Sequence, residues 1–270
     1  MILSPFVKVG SAFVVAAVTW GSTSTLNSQQ DLLAAYSPPV RQRYQDYLKR
    51  YRQVKTLTDF VQVYEQLQAQ EEAFAGPLQK VWDKYWDATN TQRPGQKSPV
   101  QPDFDWTDGL FPGLTLQHEA EGTVVTLRPS WTALAALAKR TPQPEDDRFT
   151  ALMLQLHGET WSAFPVWMQQ TWDYGGCSRL GSGKHTAFLK AIQQERKGGS
   201  VFETTLKAEE KALIDNVLTS EELCHDVAPA IKELQALQQQ FSWSTQQRQQ
   251  LQQQLQRLRS GKISALKMPL

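Results

Sequence analysis

Residues 38–67 read PPVRQRYQDYLKRYRQVKTLTDFVQVYEQL, and their apolar positions recur at three- and four-residue steps. Two prolines open the stretch, as proline does in the first turn of a helix, and Thr56 or Thr58 introduces its second half. The two apolar stripes consist of Val40, Tyr44, Tyr47, Leu48 and Tyr51, and of Leu57, Phe60, Val61, Tyr64 and Leu67. Because an aromatic stripe at helical spacing is typical of a core, this spacing predicts two helices with buried aromatic faces.

The segment that follows repeats the same pattern after a break. Gly76-Pro77 is expected to interrupt the helix, since proline lacks the backbone N–H that a helix interior uses. A third stripe then comes from Leu78, Val81, Trp82, Tyr85 and Trp86. We therefore expect an N-terminal helical segment over residues 28–88. Residues 89–103 hold three prolines and a glycine with almost nothing apolar, which predicts a linker or a long loop.

Residues 104–262 are expected to form a helical domain that carries one β-hairpin at about 114–128. Apolar and polar residues alternate over 114–120, Glu121-Gly122 can turn the chain, and the β-branched TVVTL of 123–127 returns. Helical patterns predict segments at 131–139, 145–157, 161–172, 184–196 and 201–218, one through Cys224 to Phe241, and a glutamine-rich one after Ser244. A Thr219–Glu222 capping box is expected to start the helix through Cys224. The predicted fold class is mainly α, a multi-helix globular domain with one small β-hairpin insertion.

The first residues have the order of a secretory signal peptide. Lys8 precedes an apolar run from Val9 to Trp20, and the small residues Gly21 to Ser24 follow. The run is about 12 residues, short of the ~20 that a membrane-spanning helix needs. We expect residues 1–24 to be cleaved, and the mature chain to be periplasmic or secreted, without a transmembrane span. In an oxidising compartment Cys177 and Cys224, the two cysteines of the chain, are expected to form a disulfide.

Composition excludes several function classes. The formal net charge is +1, which excludes a broad electrostatic footprint for nucleic acid or acidic membrane, so no nucleic-acid partner is expected. Two cysteines cannot build a four-cysteine zinc site, and four scattered histidines offer no substitute. We therefore predict no metal and no cofactor.

The densest chemistry lies in Trp161–Thr186, WSAFPVWMQQTWDYGGCSRLGSGKHT. Its end resembles a phosphate-binding Walker A loop over four residues, but Ser178 stands where that pattern needs glycine and His185 where it needs serine or threonine. Two binding interpretations stay open. Arg179, Lys184 and His185 beside a glycine-rich helix start predict an anion site. Trp172 and Tyr174 beside Asp173 are also suited to stacking and holding a sugar.

Two catalytic interpretations stay open as well. Cys177 with His185 or His225 forms a nucleophile pair, but the expected disulfide removes that thiol. The carboxylates of Glu119, Glu121, Glu159 and Asp173 lie near aromatic residues, as in a glycan-cleaving enzyme, although no spacing brings two of them together.

We expect an exported, soluble, non-catalytic helical protein that binds a ligand or partner of the cell envelope through residues 161–186. The candidate ligand-binding residues are Trp172, Asp173, Tyr174, Arg179, Lys184 and His185, braced by the disulfide. The alternative is a cell-envelope hydrolase acting on glycan or peptide through carboxylates near the aromatic cluster.

Overall fold

The computed structural model describes residues 37–91, 111–119, 124–158, 164–171 and 175–266. Within these ranges the chain is mainly helical with two small sheets, so the predicted fold class is confirmed. It divides into two compact units, one up to Asp147 and one from Arg148 onward. The expected signal peptide lies outside the described residues, as does most of the expected linker.

The first unit is built on two helices. Helix α1 spans Pro38–Gln53 and opens on its prolines, and helix α2 spans Leu57–Asn90 behind a Thr56 capping box. The predicted break at Gly76-Pro77 is wrong, because α2 runs through it as one helix of 34 residues. An interior proline costs roughly 3 kcal/mol. The unbroken four-residue spacing of Phe74, Leu78 and Trp82, all buried, supplies packing that offsets this cost.

A hairpin, a short helix and the first turn of another helix complete this unit. Strands β1 (Leu114–Glu119) and β2 (Val124–Pro129) pair antiparallel, which confirms the predicted hairpin, and β2 packs on α2. Gln79 of α2 accepts a hydrogen bond from the Val125 backbone N–H at 2.6 Å. Helix α3 spans Trp131–Ala138 behind a Ser130 cap, and helix α4 spans Pro144–His157. The boundary between the units falls within α4.

The second unit surrounds a four-stranded sheet of order β3-β4-β5-β6. Its strands are β3 (Met168–Gln170), β4 (Gly176–Ser178), β5 (Glu222–Leu223) and β6 (Ser264–Ala265), with β3–β4 antiparallel and the other pairs parallel. The helix predicted over 161–172 is therefore wrong in its described part, because Met168–Gln170 forms an edge strand against β4. Over such a short stretch, large apolar residues at three- and four-residue steps do not distinguish a helix from a strand of a packed hairpin.

Four helices of the second unit pack on one another: α5 (Lys184–Arg196), α6 (Glu203–Thr219), α7 (Val227–Gln240) and α8 (Thr245–Arg259). The predicted capping box at Thr219–Glu222 is wrong, since α7 begins only at Val227. Residues 222–223 instead extend the sheet, and the Cys224 N–H donates to the Ser178 carbonyl at 2.8 Å. The Ser244 capping box before α8 is confirmed.

Candidate functional site

The glycine-rich loop 179–183 lies between β4 and α5, and the carboxylate of a distant helix fills it. Gly181 and Gly183 donate their N–H groups to Glu233 Oε2 at 2.6 and 3.0 Å, and Thr186 N–H donates to Oε1 at 3.1 Å. Glu233 is on α7 and is only 7% exposed. Thus the free N–H groups of this helix start bind an anion, and that anion is a carboxylate of the protein itself.

Backbone geometry explains why glycine occupies this loop. Gly181 has φ +104°, and a Cβ there would approach the Ala230 backbone nitrogen to 2.8 Å. Gly183 has φ +80° at the N-cap position of α5, where it has no side chain to bond the free N–H groups of the first turn. Glu233 takes over this capping function from across the α5–α7 interface, since Thr186 is the third residue of α5.

His185 and Ser178 belong to a buried polar cluster. His185 Nε2 lies 2.8 Å from Asn216 Oδ1, and the Ser178 hydroxyl donates to the same oxygen at 2.7 Å. Both side chains are at most 1% exposed, and His185 Nδ1 has no hydrogen-bond partner within the described residues. Burial lowers the pKa of His185, against the opposing effects of the Asn216 hydrogen bond and the Glu233 charge.

This cluster is not arranged for nucleophilic catalysis. Asn216 Oδ1 is an acceptor, so His185 Nε2 carries the ring proton and cannot take one from the Ser178 hydroxyl, 3.5 Å away. The Ser178 oxygen also accepts from the Leu180 N–H at 3.2 Å. Both side chains are also shielded from solvent. The cluster therefore positions β4, α5 and α6.

Arg179 and Lys184 are also engaged within the fold. The Arg179 guanidinium donates to Gln169 Oε1 of β3 at 3.1 Å, and its buried Nε has no partner in the described part of the chain. Lys184 Nζ donates to the Val166 carbonyl at 3.4 Å. Burial, and then the positive charge of Arg179, lower the pKa of the Lys184 ammonium group. Both cations thus stabilise the loop against the β3 hairpin.

The two cysteines stand at disulfide distance beside this cluster. The Cys177 and Cys224 sulfur atoms are 2.07 Å apart and their Cα atoms 5.2 Å apart, with a sequence separation of 47. Cys177 lies in β4, next to the glycine loop, and Cys224 lies just before α7. The pair therefore links the two segments that Glu233 also joins, and it leaves Cys177 no free thiol for a nucleophile.

Most of the other residues predicted for the site lie outside the segments that the structure describes. Trp172, Asp173 and Tyr174 lie outside the described residues, as do Glu121 and Glu159, so the sugar-binding and hydrolase interpretations stay predictions. Trp167, another aromatic residue of the 161–186 stretch, is buried with its ring 6.1 Å from that of Phe188, so it belongs to the core. Within the described residues, no group of three His, Cys, Asp or Glu side chains could hold a metal ion.

An open groove runs along the surface beside the loop, between α5 and α7. Its volume is about 560 Å³. The floor is small or apolar, and Lys190 and Lys232 are its exposed charges, since the Glu233 oxygens face the loop N–H groups. We call this surface the α5–α7 groove; it is lined by Gly181, Gly183, Thr186, Ala187, Lys190, Pro229, Lys232, Glu233 and Ala236.

Sequence reasoning missed Glu233 and Asn216, the two residues that organise the site. Each has one signal: it falls on the apolar face of an amphipathic helix. Glu233 lies between Ala230 and Leu237 on the buried stripe of α7, and Asn216 follows the buried Leu213 by three positions on α6. A polar group on such a face needs partners, because burial without a hydrogen bond is costly.

Comparisons of this chain with models of protein families, with curated proteins and with solved structures find no match. Among the described residues, no helix has both the length and the apolar character that crossing a membrane requires.

Proposed function

We propose that the chain is an exported helical protein that binds a partner without catalysis, and that the α5–α7 groove is its binding surface. The groove contains the C-terminal end of the 161–186 region to which the sequence assigns binding. The proposed occupant is a carboxylate-bearing peptide segment of a cell-envelope protein. Export is supported by the leader-like sequence of residues 1–24 and by the cysteine pair at disulfide distance.

One observation carries the choice of occupant. The one carboxylate in the groove, Glu233, is held by three N–H groups, whereas Lys190 and Lys232 are exposed and make no ion pair within the described residues. The groove therefore presents unbalanced positive charge above a small apolar floor. A peptide with carboxylate side chains supplies the complementary charge, and its backbone can approach closely where the floor has no bulky side chains.

A residue-resolved titration tests this binding surface. We would add a hexaglutamate peptide to the isotope-labelled protein at low salt and follow the backbone amide signals, with hexalysine as the control peptide. We expect saturable shifts at Gly183, Thr186 and the amides around Lys190 and Lys232. Loss of those shifts in Lys190→Gln/Lys232→Gln, and their retention in the matched pair Lys197→Gln/Lys262→Gln, would support the groove. No shift at groove amides in the wild type would refute it.

Export has its own measurement. Intact mass of the protein from its native host, before and after reduction and alkylation, is expected to show loss of about 24 N-terminal residues. It should also show two alkylations that appear only after reduction. A full-length mass with two free thiols would contradict export, whatever the groove binds.

A further inference from the structure

Helix α1, in the first unit, carries a concentration of positive charge that the net charge of the whole chain does not reveal. Its 16 residues hold Arg41, Arg43, Lys49, Arg50 and Arg52 against one carboxylate, Asp46. The whole chain, in contrast, has 28 cations against 27 anions. The net charge of +1 is therefore the sum of unevenly distributed charges, and it does not exclude a locally basic surface.

These five cations are exposed and have no anionic partner in the described part of the chain. None of them forms an ion pair there. Arg50 donates to Gln62 at 3.0 Å, but that amide leaves its charge uncompensated. In the second unit, by comparison, Arg196 is paired with both Glu203 and Glu210.

The fold holds this charged face outward. Tyr44, Tyr47 and Leu48 of α1 are buried, and the Tyr47 hydroxyl donates to the Pro112 carbonyl. Arg140 donates to the Tyr51 and Arg52 carbonyls at the C-terminal end of α1, which adds a further exposed cation there. At a rise of 1.5 Å per residue, the cations from Arg41 to Arg52 extend over about 16 Å. We call this surface the α1 basic face.

The kind of partner follows from what the α1 basic face lacks. Its exposed residues are charged or polar apart from Pro38 and Pro39 at its N-terminal end, so it offers no apolar centre of the kind that protein interfaces use. Its tyrosines are buried or half-buried, so it presents no open ring on which nucleic-acid bases stack. A dense array of phosphates on a surface needs neither feature, because cations alone supply the attraction.

We propose that the α1 basic face binds the surface of an anionic phospholipid bilayer through its headgroup phosphates. The sequence adds a second argument, since α1 begins about 17 residues after the apolar run Val9–Trp20, the segment expected to engage a membrane during export. The α1 basic face then holds the protein at the membrane surface without inserting into it, as polybasic segments do.

Vesicle co-sedimentation of the purified full-length chain tests the proposal. The vesicles contain phosphatidylcholine with about 30% phosphatidylglycerol, and pure phosphatidylcholine vesicles measure any contribution of apolar contact. The test variant is Arg41→Gln/Lys49→Gln/Arg52→Gln. The matched control, Lys197→Gln/Arg248→Gln/Lys262→Gln, removes three exposed cations from the other unit. Far-ultraviolet circular dichroism verifies that both triple variants are folded.

We expect the wild type to bind anionic vesicles at about 25 mM salt and to be released at about 300 mM, with little binding to neutral vesicles. The α1 variant should bind more than roughly tenfold more weakly, and the control within about twofold of wild type. Absence of wild-type binding to anionic vesicles would overturn the proposal, as would an equal loss in both triple variants. Tighter binding to duplex DNA than to anionic vesicles, at equal phosphate concentration, would overturn it in favour of a nucleic-acid partner.

Discussion

The region of the glycine loop and helix α1 both carry cations, and the structure uses them in opposite ways. Arg179 and Lys184 of the loop region are bonded to neighbouring groups, and together with the buried His185 they hold β3, β4, α5 and α6 in place. The five cations of α1 are exposed and make no ion pair within the described residues.

This difference shows that a segment rich in polar and aromatic side chains is not necessarily one whose side chains are free to bind a partner. A loop rich in glycine, cations and aromatic residues has the composition of a binding site. Most of its described polar groups are nevertheless bonded within the fold, as buried polar groups usually are. The surface that remains available beside it is the α5–α7 groove, and the plainer sequence of α1 presents more free charge. The predictions below test this contrast through the free energy of unfolding.

The largest expected effect comes from the cysteine pair beside the loop. Replacing both cysteines, as Cys177→Ser/Cys224→Ser, releases a closed loop of 47-residue separation. The chain-entropy model assigns this closure about 4 kcal/mol of unfolding free energy. Urea denaturation of the variant and of the oxidised wild type measures the loss. A change below about 1 kcal/mol would show that the pair contributes little to the loop scaffold.

Glu233→Ala should have the next largest effect. The substitution leaves the N–H groups of Gly181, Gly183 and Thr186 without their acceptor, and a loss of roughly 3 kcal/mol is expected. Urea denaturation is again the measurement, and Glu233→Gln, which keeps an amide oxygen, should lose less. Asp46→Ala on α1 is the matched carboxylate control, with a change within about 0.5 kcal/mol. Equal effects of Glu233→Ala and Asp46→Ala would remove the contrast between the two regions.

A smaller effect is expected from acid acting on His185. Burial lowers its folded-state pKa below the ordinary value of 6.5, so the unfolded chain binds this proton more readily. Stability is then complete above pH ~6.5 and falls as the pH decreases toward the folded pKa, by at most about 1.4 kcal/mol per pH unit. Urea unfolding of wild type and His185→Gln between pH ~7.5 and ~5 measures this slope. An identical slope in both proteins would contradict the assignment.

The smallest effects come from single arginines. Arg179→Gln removes a guanidinium that bonds Gln169, and a loss of about 1 kcal/mol is expected. Arg52→Gln removes an exposed cation of α1, and its change should stay within about 0.5 kcal/mol. Thermal unfolding of the two variants in parallel compares them. The contrast fails if Arg52→Gln destabilises the protein as much as Arg179→Gln does.

The sequence predicted what depends on local periodicity. The stripes of α1 and α2, the hairpin, and the caps at Thr56, Ser130 and Ser244 are all observed, because each depends on residues a few positions apart. The errors arise where distant contacts override local signals. Packing of Phe74 and Leu78 carries α2 through Pro77, and pairing with β4 draws residues 222–223 into the sheet in place of a helix start.

The site was predictable only in part. The local pattern of glycines before α5 indicated an anion site, and the geometry of such a site is present. Its occupant could not be inferred, because Glu233 lies about 50 residues further along the chain and reaches the loop only through the packing of α7 on α5. The same holds for Asn216, whose contact with His185 spans 31 positions.

One measurement compares the two regions directly. Limited modification of the native protein with phenylglyoxal, followed by peptide mass spectrometry, gives the rate for each arginine in the same sample. The account predicts that Arg41 and Arg52 of α1 react roughly tenfold faster than Arg179, whose guanidinium bonds Gln169 and has a buried Nε. Modification of Arg179 as fast as Arg52 would contradict the claim that the loop cations are engaged within the fold.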